Sequence, residues 1–164
     1  MLFRSAFSSV YKGEHIHTKK CIAMKIGIGC ARESKIIRYL GGVESIPVLH
    51  WYGKFGSKEC IAMTYYEKTI TEEVLDKERI TELMQIMKWI HAKGIIHCDI
   101  KIDNFMINEK GKIVLIDFGL ARPYIDMKTG EHISNTKNNN PIGTEEYMSE
   151  YVKEGQRPSR RDDM

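Results

Sequence analysis

The chain has no apolar stretch long enough to span a bilayer, and its first residues, MLFRSAFSSVYKG, carry one Arg and no apolar core. Neither a membrane-spanning helix nor a signal peptide is therefore expected. No C-x-x-C pair is present, and Cys21, Cys30, Cys60 and Cys98 show no metal-type spacing. A chain of 164 residues does not need disulfide staples, so these four are read as reduced thiols of a cytoplasmic or nuclear protein. Cys21 and Cys60 lie in apolar runs and are expected to be small buried hydrophobes. Strong charge of one sign is also missing. A net charge of +3 suits an anionic ligand or substrate but falls short of a nucleic-acid footprint. There is no internal repeat, and the one low-complexity tract is the polar run Asn135 to Asn140.

The remaining composition is that of a globular protein, and the length suffices for one core or two small lobes. The first third reads as strands. Phe7 to Gly13 and Lys20 to Ile26 are β-type runs joined by the polar turn His15 to Lys19. Ala31 to Leu40 places Ile36, Ile37 and Leu40 at helical spacing and stops at Gly41-Gly42. Val48 to Phe55 and Glu59 to Tyr65 form a second strand pair. The period then changes: Ile80, Leu83, Met84, Met87 and Ile90 line one face of a helix that ends before Gly94, and such a methionine-rich stripe is expected in a core. Two short strands follow, Phe105 to Ile107 and Lys112 to Ile116. From Asp117 onward the chain is mostly loop-like, which suggests a functional loop.

The chemistry is concentrated in His97-Cys98-Asp99-Ile100-Lys101-Ile102-Asp103-Asn104 followed by Asp117-Phe118-Gly119. This order matches H-R-D-x-x-x-x-N plus D-F-G of protein kinases at all but one motif position. The spacing fits phosphoryl transfer. Asp99 can accept or orient the proton of an attacking hydroxyl, and Asn104 and Asp117 can hold Mg²⁺ against ATP phosphates. Lys101, two residues past the base in an extended loop, can neutralise the migrating group. Gly119 is expected to let the chain turn after the metal ligand. A lone D-F-G would mean little, but both motifs in order around a strand hairpin make coincidence a poor account. Upstream, Ile22-Ala23-Met24-Lys25 stands where kinases place V-A-I-K, with Glu33 as the partner of Lys25; a first-turn helix carboxylate is the alternative role for Glu33. Gly27-Ile28-Gly29-Cys30-Ala31-Arg32 only imitates G-x-G-x-x-G. Its third glycine is Arg32 and no acidic residue follows at the right distance, so a dinucleotide site is not expected and a tight reversal that brings Glu33 back towards Lys25 is.

ARESKIIRYLGGVESIPVLHWYG, IHAKGIIHCDIKIDNF, IDFGLARPY, EHI, GTEEYMS and SRRDD resemble casein kinase 1 sequences at matching positions, from about Phe7 to the last residue. The resemblance implies one α+β protein-kinase domain over 1–164 with a bilobal fold. A small antiparallel β N-lobe with one helix would span about 1–65, and an incomplete, mainly helical C-lobe 69–164. It implies ATP, Mg²⁺ and phosphorylation of protein serine or threonine. Asp99, Lys101 and Asn104 would be catalytic. Lys25, Glu33, Val10, Ala23 and Asp117 would bind the nucleotide, and Asn104 and Asp117 the metal. Thr144 would contact the catalytic aspartate, and Asp163 would brace the catalytic-loop backbone. The chain stops at Met164, where the large central helix of the C-lobe would begin, so a partner chain completing that lobe is a further expectation; nucleic acid and membrane are not expected partners.

The departures from the family are specific. Phe3, Ser5 and Ser8 stand at the glycine-rich-loop positions, where side chains crowd the approach to phosphate. Cys98 replaces the arginine before the catalytic base, which removes its pairing with a phosphorylated activation loop. Glu145-Glu146 replaces Ala-Arg, removing a positive group that favours acidic or phosphate-primed substrates. The readings left open are an active serine/threonine kinase, a non-catalytic kinase-like binding module, and a small-molecule phosphotransferase of aminoglycoside-kinase type. The D-F-G and G-T-x-x-Y segments weigh against the last.

Overall fold

The computed structural model describes residues 3–4, 8–71, 73, 75–134 and 141–164. Ser5, Phe7 and the run Asn135 to Asn140 lie outside the described residues. The described chain divides into two units, Met1–Thr69 with Met106–Gly119, and Ile70–Phe105 with Leu120–Met164. Met106–Gly119 thus packs with the first unit although it follows the start of the second along the chain.

In the first unit, β1 (Phe3–Arg4), β2 (Ser8–Glu14), β3 (Cys21–Gly27), β4 (Leu49–Phe55) and β5 (Lys58–Thr64) form an antiparallel sheet in the order β1-β2-β3-β5-β4. The polar turn closes the β2–β3 hairpin, with the Lys19 N–H donating to the His15 carbonyl at 2.8 Å. Register sets Val10 opposite Lys25 and Lys12 opposite Ala23. Since side chains alternate along a strand, Val10, Ala23 and Lys25 share one face. The chain reverses over Gly27–Gly29 into α1 (Cys30–Leu40), whose Cys30, Glu33, Ser34, Ile36, Ile37 and Leu40 are buried. That helix stops as expected at Gly41, whose N–H reaches the Arg38 carbonyl. A small sheet of β6 (Lys68–Thr69), β8 (Phe105–Ile107) and β9 (Ile113–Leu115) follows. The Leu115 N–H donates to the Ser45 carbonyl at 3.0 Å, which ties β9 to the segment after α1.

In the second unit, Asp76 caps α2 (Lys77–Ala92) by accepting from the Arg79 N–H at 2.8 Å. β7 (Ile95–Ile96) pairs with β10 (Arg122–Pro123), and α3 (Glu150–Lys153) is a single turn. One expectation is met in part and another fails. The stripe on α2 is only partly core: Ile86, Met87, Ile90 and His91 are buried, while Ile80 and Met84 are 47% and 43% exposed. Full burial is confined to the C-terminal half of the helix, while Arg79, Glu82 and Leu83 in the N-terminal half are partly buried, and the covered arc lies one position round from the expected one. Cys21 is exposed, because it opens β3 opposite exposed Glu14, whereas Cys60 sits mid-strand in β5 and is buried. All four thiols are free. No helix among the described residues is long and apolar enough to cross a membrane.

Candidate active site

Within the first unit, β3 and α1 deliver Lys25 and Glu33 to one buried point. The Lys25 ammonium lies 2.7 Å from Glu33 Oε2 and 2.7 Å from Asp117 Oδ1. Glu33 is wholly buried and Lys25 nearly so. Burial by itself would lower the lysine pKa, but the two carboxylates outweigh it and hold the amine well above the usual lysine range. Burial, and then the nearby Asp117 charge, push the Glu33 carboxyl above the usual glutamate range, although the Lys25 ammonium and the Phe118 backbone pull the other way. Val10 and Ala23, both partly exposed, lie on the Lys25 face of the sheet.

The local backbone explains how Asp117 reaches this point. Asp117 itself takes the left-handed conformation, φ 61, so the turn expected at Gly119 falls two residues earlier. Gly119 matters for its lack of a side chain: a Cβ there would lie 3.1 Å from both Asp117 Oδ1 and Lys25 Nζ. Its N–H donates to Asp117 Oδ1 at 3.3 Å, and its carbonyl accepts from the Arg32 guanidinium.

Within the second unit, Asp99 is the hub. Its Oδ1 accepts from the Thr144 N–H at 2.9 Å and from the Thr144 hydroxyl at 2.7 Å. The Lys101 ammonium stands 3.2 Å from Asp99 Oδ2 and donates to Thr144 Oγ1 at 2.8 Å. Asn104 Nδ2 donates to the Asp99 carbonyl at 2.7 Å and to Oδ2 at 3.2 Å, which shapes the loop and leaves its amide oxygen as an acceptor. Thr144 comes this close because Gly143, at φ 122, passes the Cys98 carbonyl where a Cβ would sit 2.8 Å away. From below, the buried Asp163 carboxylate accepts from the His97 N–H at 2.7 Å and the Cys98 N–H at 2.8 Å. His91 Nε2 lies 3.0 Å from Asp163 Oδ2.

The structure therefore gathers Lys25, Glu33 and Asp117 at one point, and Asp99, Lys101 and Asn104, with Thr144, at another. Sequence reading missed His91 and Gly143. The signal for Gly143 was available in its place before Thr144. The signal for His91 was only its position in the last turn of α2, where a cation facing the helix dipole is the ordinary reading.

The donor set can be tested against a divalent metal. Among the described residues no group of three or more His, Cys, Asp and Glu side chains could hold a metal ion. Mg²⁺ takes hard oxygen donors, keeps waters and uses one or two side chains with substrate phosphates, and each unit taken by itself has one donor of that kind. Asp117 offers a partly exposed carboxylate and Asn104 an amide oxygen.

A strand-borne lysine paired to a helix glutamate and to the aspartate of D-F-G, and a catalytic-loop aspartate flanked by lysine and asparagine, are the parts of a phosphotransferase of the protein-kinase class. Residues 4–164 match the family model described as protein kinase domain, and the chain belongs to that family. Membership makes it a kinase and implies ATP as co-substrate, a divalent metal and a protein acceptor.

Proposed function

We propose that this chain is a serine/threonine protein kinase of casein kinase 1 type that transfers the γ-phosphoryl group of ATP with Mg²⁺. The observation that carries the reading is the seat of Thr144: a threonine hydroxyl donates to Asp99 at 2.7 Å while accepting from Lys101. An aliphatic alcohol is thus already accommodated at the carboxylate that would take a substrate hydroxyl's proton. Sequence resemblance to casein kinase 1 along most of the chain supports the subfamily.

In this reading Asp99 orients the acceptor hydroxyl and receives its proton, and Lys101 offsets negative charge on the group in transfer. Asn104 fixes the loop through the Asp99 carbonyl. Lys25, kept charged by its two carboxylates, binds the α- and β-phosphates, with Val10 and Ala23 against the base. Asp117 and Asn104 would hold Mg²⁺, which when bound neutralises phosphate charge. The four free thiols suit a reducing compartment, cytoplasm or nucleus.

The test is phosphate transfer from labelled ATP to a panel of serine- and threonine-containing proteins. Asp99→Asn and Lys25→Met should each reduce it at least about a hundredfold, the scale of a lost acid–base group. One observation favours a second reading, a binding module without catalysis: Phe3, Ser5 and Ser8 stand where glycines admit phosphate, although Ser5 lies outside the described residues. Partner binding that survives both substitutions, with no transfer by the native chain, would establish that reading instead.

A further inference from the structure

Three consecutive residues in the first turn of α1 are each tied to a different element of the first unit. The Ala31 N–H donates to Glu59 Oε2 on β5 at 3.0 Å, which caps a helix whose own N-cap, Gly29, has no side chain to do so. The Arg32 guanidinium donates to the Gly119 carbonyl, 87 residues away in the chain. Glu33 pairs with Lys25 on β3 at 2.7 Å. Arg32 is exposed, as are Lys35 and Arg38 further along the helix. Water is open to its side chain, and holding it on a backbone carbonyl costs rotamer freedom.

Gly119 explains what that contact achieves. Crowding admits no side chain at this position, where a Cβ would lie 3.1 Å from both Asp117 Oδ1 and Lys25 Nζ. The residue must therefore be glycine, and glycine brings the widest backbone freedom to a place two residues after Asp117. Asp117 itself sits at φ 61, a left-handed conformation that persists only where its surroundings hold it. Gly119 is held at both ends: its N–H donates to Asp117 Oδ1 at 3.3 Å and its carbonyl accepts from Arg32. We propose that Arg32 is a positioning residue for Asp117. By fixing the Gly119 peptide to the first turn of α1, it sets the direction in which the Asp117 carboxylate meets a divalent cation. Because Glu59 anchors the same turn to β5, the sheet, Glu33 and the D-F-G segment are held in one arrangement. The effect on the cation rests on Asp117 holding it, as proposed above; the clamp on Gly119 stands without it.

The test uses the full chain with Arg32→Met, which keeps most of the side-chain stem, and with Lys35→Met, which removes the same charge one turn on. Amide hydrogen exchange is followed by NMR without nucleotide or metal. The Gly119 N–H should exchange at least about fivefold faster in Arg32→Met, the scale of one hydrogen bond. The Glu33 N–H, bonded to the Gly29 carbonyl within the helix, should keep its native rate. Titration of Mg²⁺ against a fluorescent ATP analogue should need about fivefold more cation for half-saturation in Arg32→Met, with analogue binding in the absence of Mg²⁺ unchanged. Lys35→Met should match the native chain in both measurements. The proposal is overturned by an unchanged Gly119 rate or Mg²⁺ requirement in Arg32→Met, by an equal change in Lys35→Met, or by a general quickening that includes Glu33. Failure of the native chain to bind the analogue would sink the nucleotide reading instead, and the Gly119 rate would then decide this one.

Discussion

Cys98 occupies the position before Asp99 with φ 67, a left-handed backbone held by the Asp163 carboxylate on its own N–H. Burial first, and then the nearby Asp163 charge, push its thiol up to about 12. Burial and Glu33 raise Cys30 to about 11. Since the thiolate is the nucleophile, neither should react in the folded protein. Exposed Cys21 should be alkylated by iodoacetamide at neutral pH at least about tenfold faster than Cys30, Cys60 or Cys98, as followed by peptide mass spectrometry. Comparable rates at Cys98 would contradict its burial. At this scale the sequence was informative wherever a motif fixes chemistry by spacing, as with Asp99, Asn104 and Asp117. It was not informative where a residue acts through what it leaves empty. The value of Gly119 lies in the space beside Lys25 and Asp117, partners that the chain brings there from 92 residues apart.

Periodicity located α1, α2 and the longer strands because each repeats its pattern for two turns or several pleats. It could not locate β6, β7 and β10, which have two residues each and are defined only by their partners. Nor could it tell which arc of α2 is covered, since burial of Met87 and exposure of Met84 depend on what packs there. The short 3-10 helix Arg160–Asp163 shows how such a small element persists. Ser159 and Asp162 form a reciprocal cap, with the Ser159 N–H and hydroxyl on Asp162 Oδ2 at 2.7 and 2.8 Å, and the Ser149 hydroxyl also donates to Asp162. Burial pushes the Asp162 carboxyl up, but hydrogen bonds from Ser149 and Ser159 outweigh it and hold the group below the usual aspartate range. A depressed folded-state pKa adds stability above the unfolded value, and that stability is lost as pH falls through the folded one. Asp162→Asn should therefore cost about 1 kcal/mol at neutral pH in urea unfolding. The deficit should shrink towards zero as the solution is acidified below the normal aspartate range. A pH-independent deficit would mean that the carboxylate charge plays no part.

The two units are interleaved along the chain, since Met106–Gly119 returns to the first after the second has begun. Pairing of Lys68 with Ile107 and of Leu115 with Ser45 makes that assignment, and such long-range contacts leave no periodic trace in a linear sequence. For the molecule as a whole, a ligand that binds only the folded form raises stability by mass action. Mg²⁺-ATP at about one hundred times its dissociation constant should contribute about 2.7 kcal/mol, a rise of about 5–10 °C in the unfolding midpoint. Differential scanning fluorimetry with and without nucleotide measures it, and an unmoved midpoint would count against nucleotide binding. One further consequence follows from the seat of Thr144. Its amide is pinned to Asp99 beside the exposed Glu145 and Glu146, so in heavy water it is a slow clock next to fast ones. Its deuteration rate would report the charge on Asp99 without any substrate, and would quicken in Asp99→Asn before any catalytic assay is run.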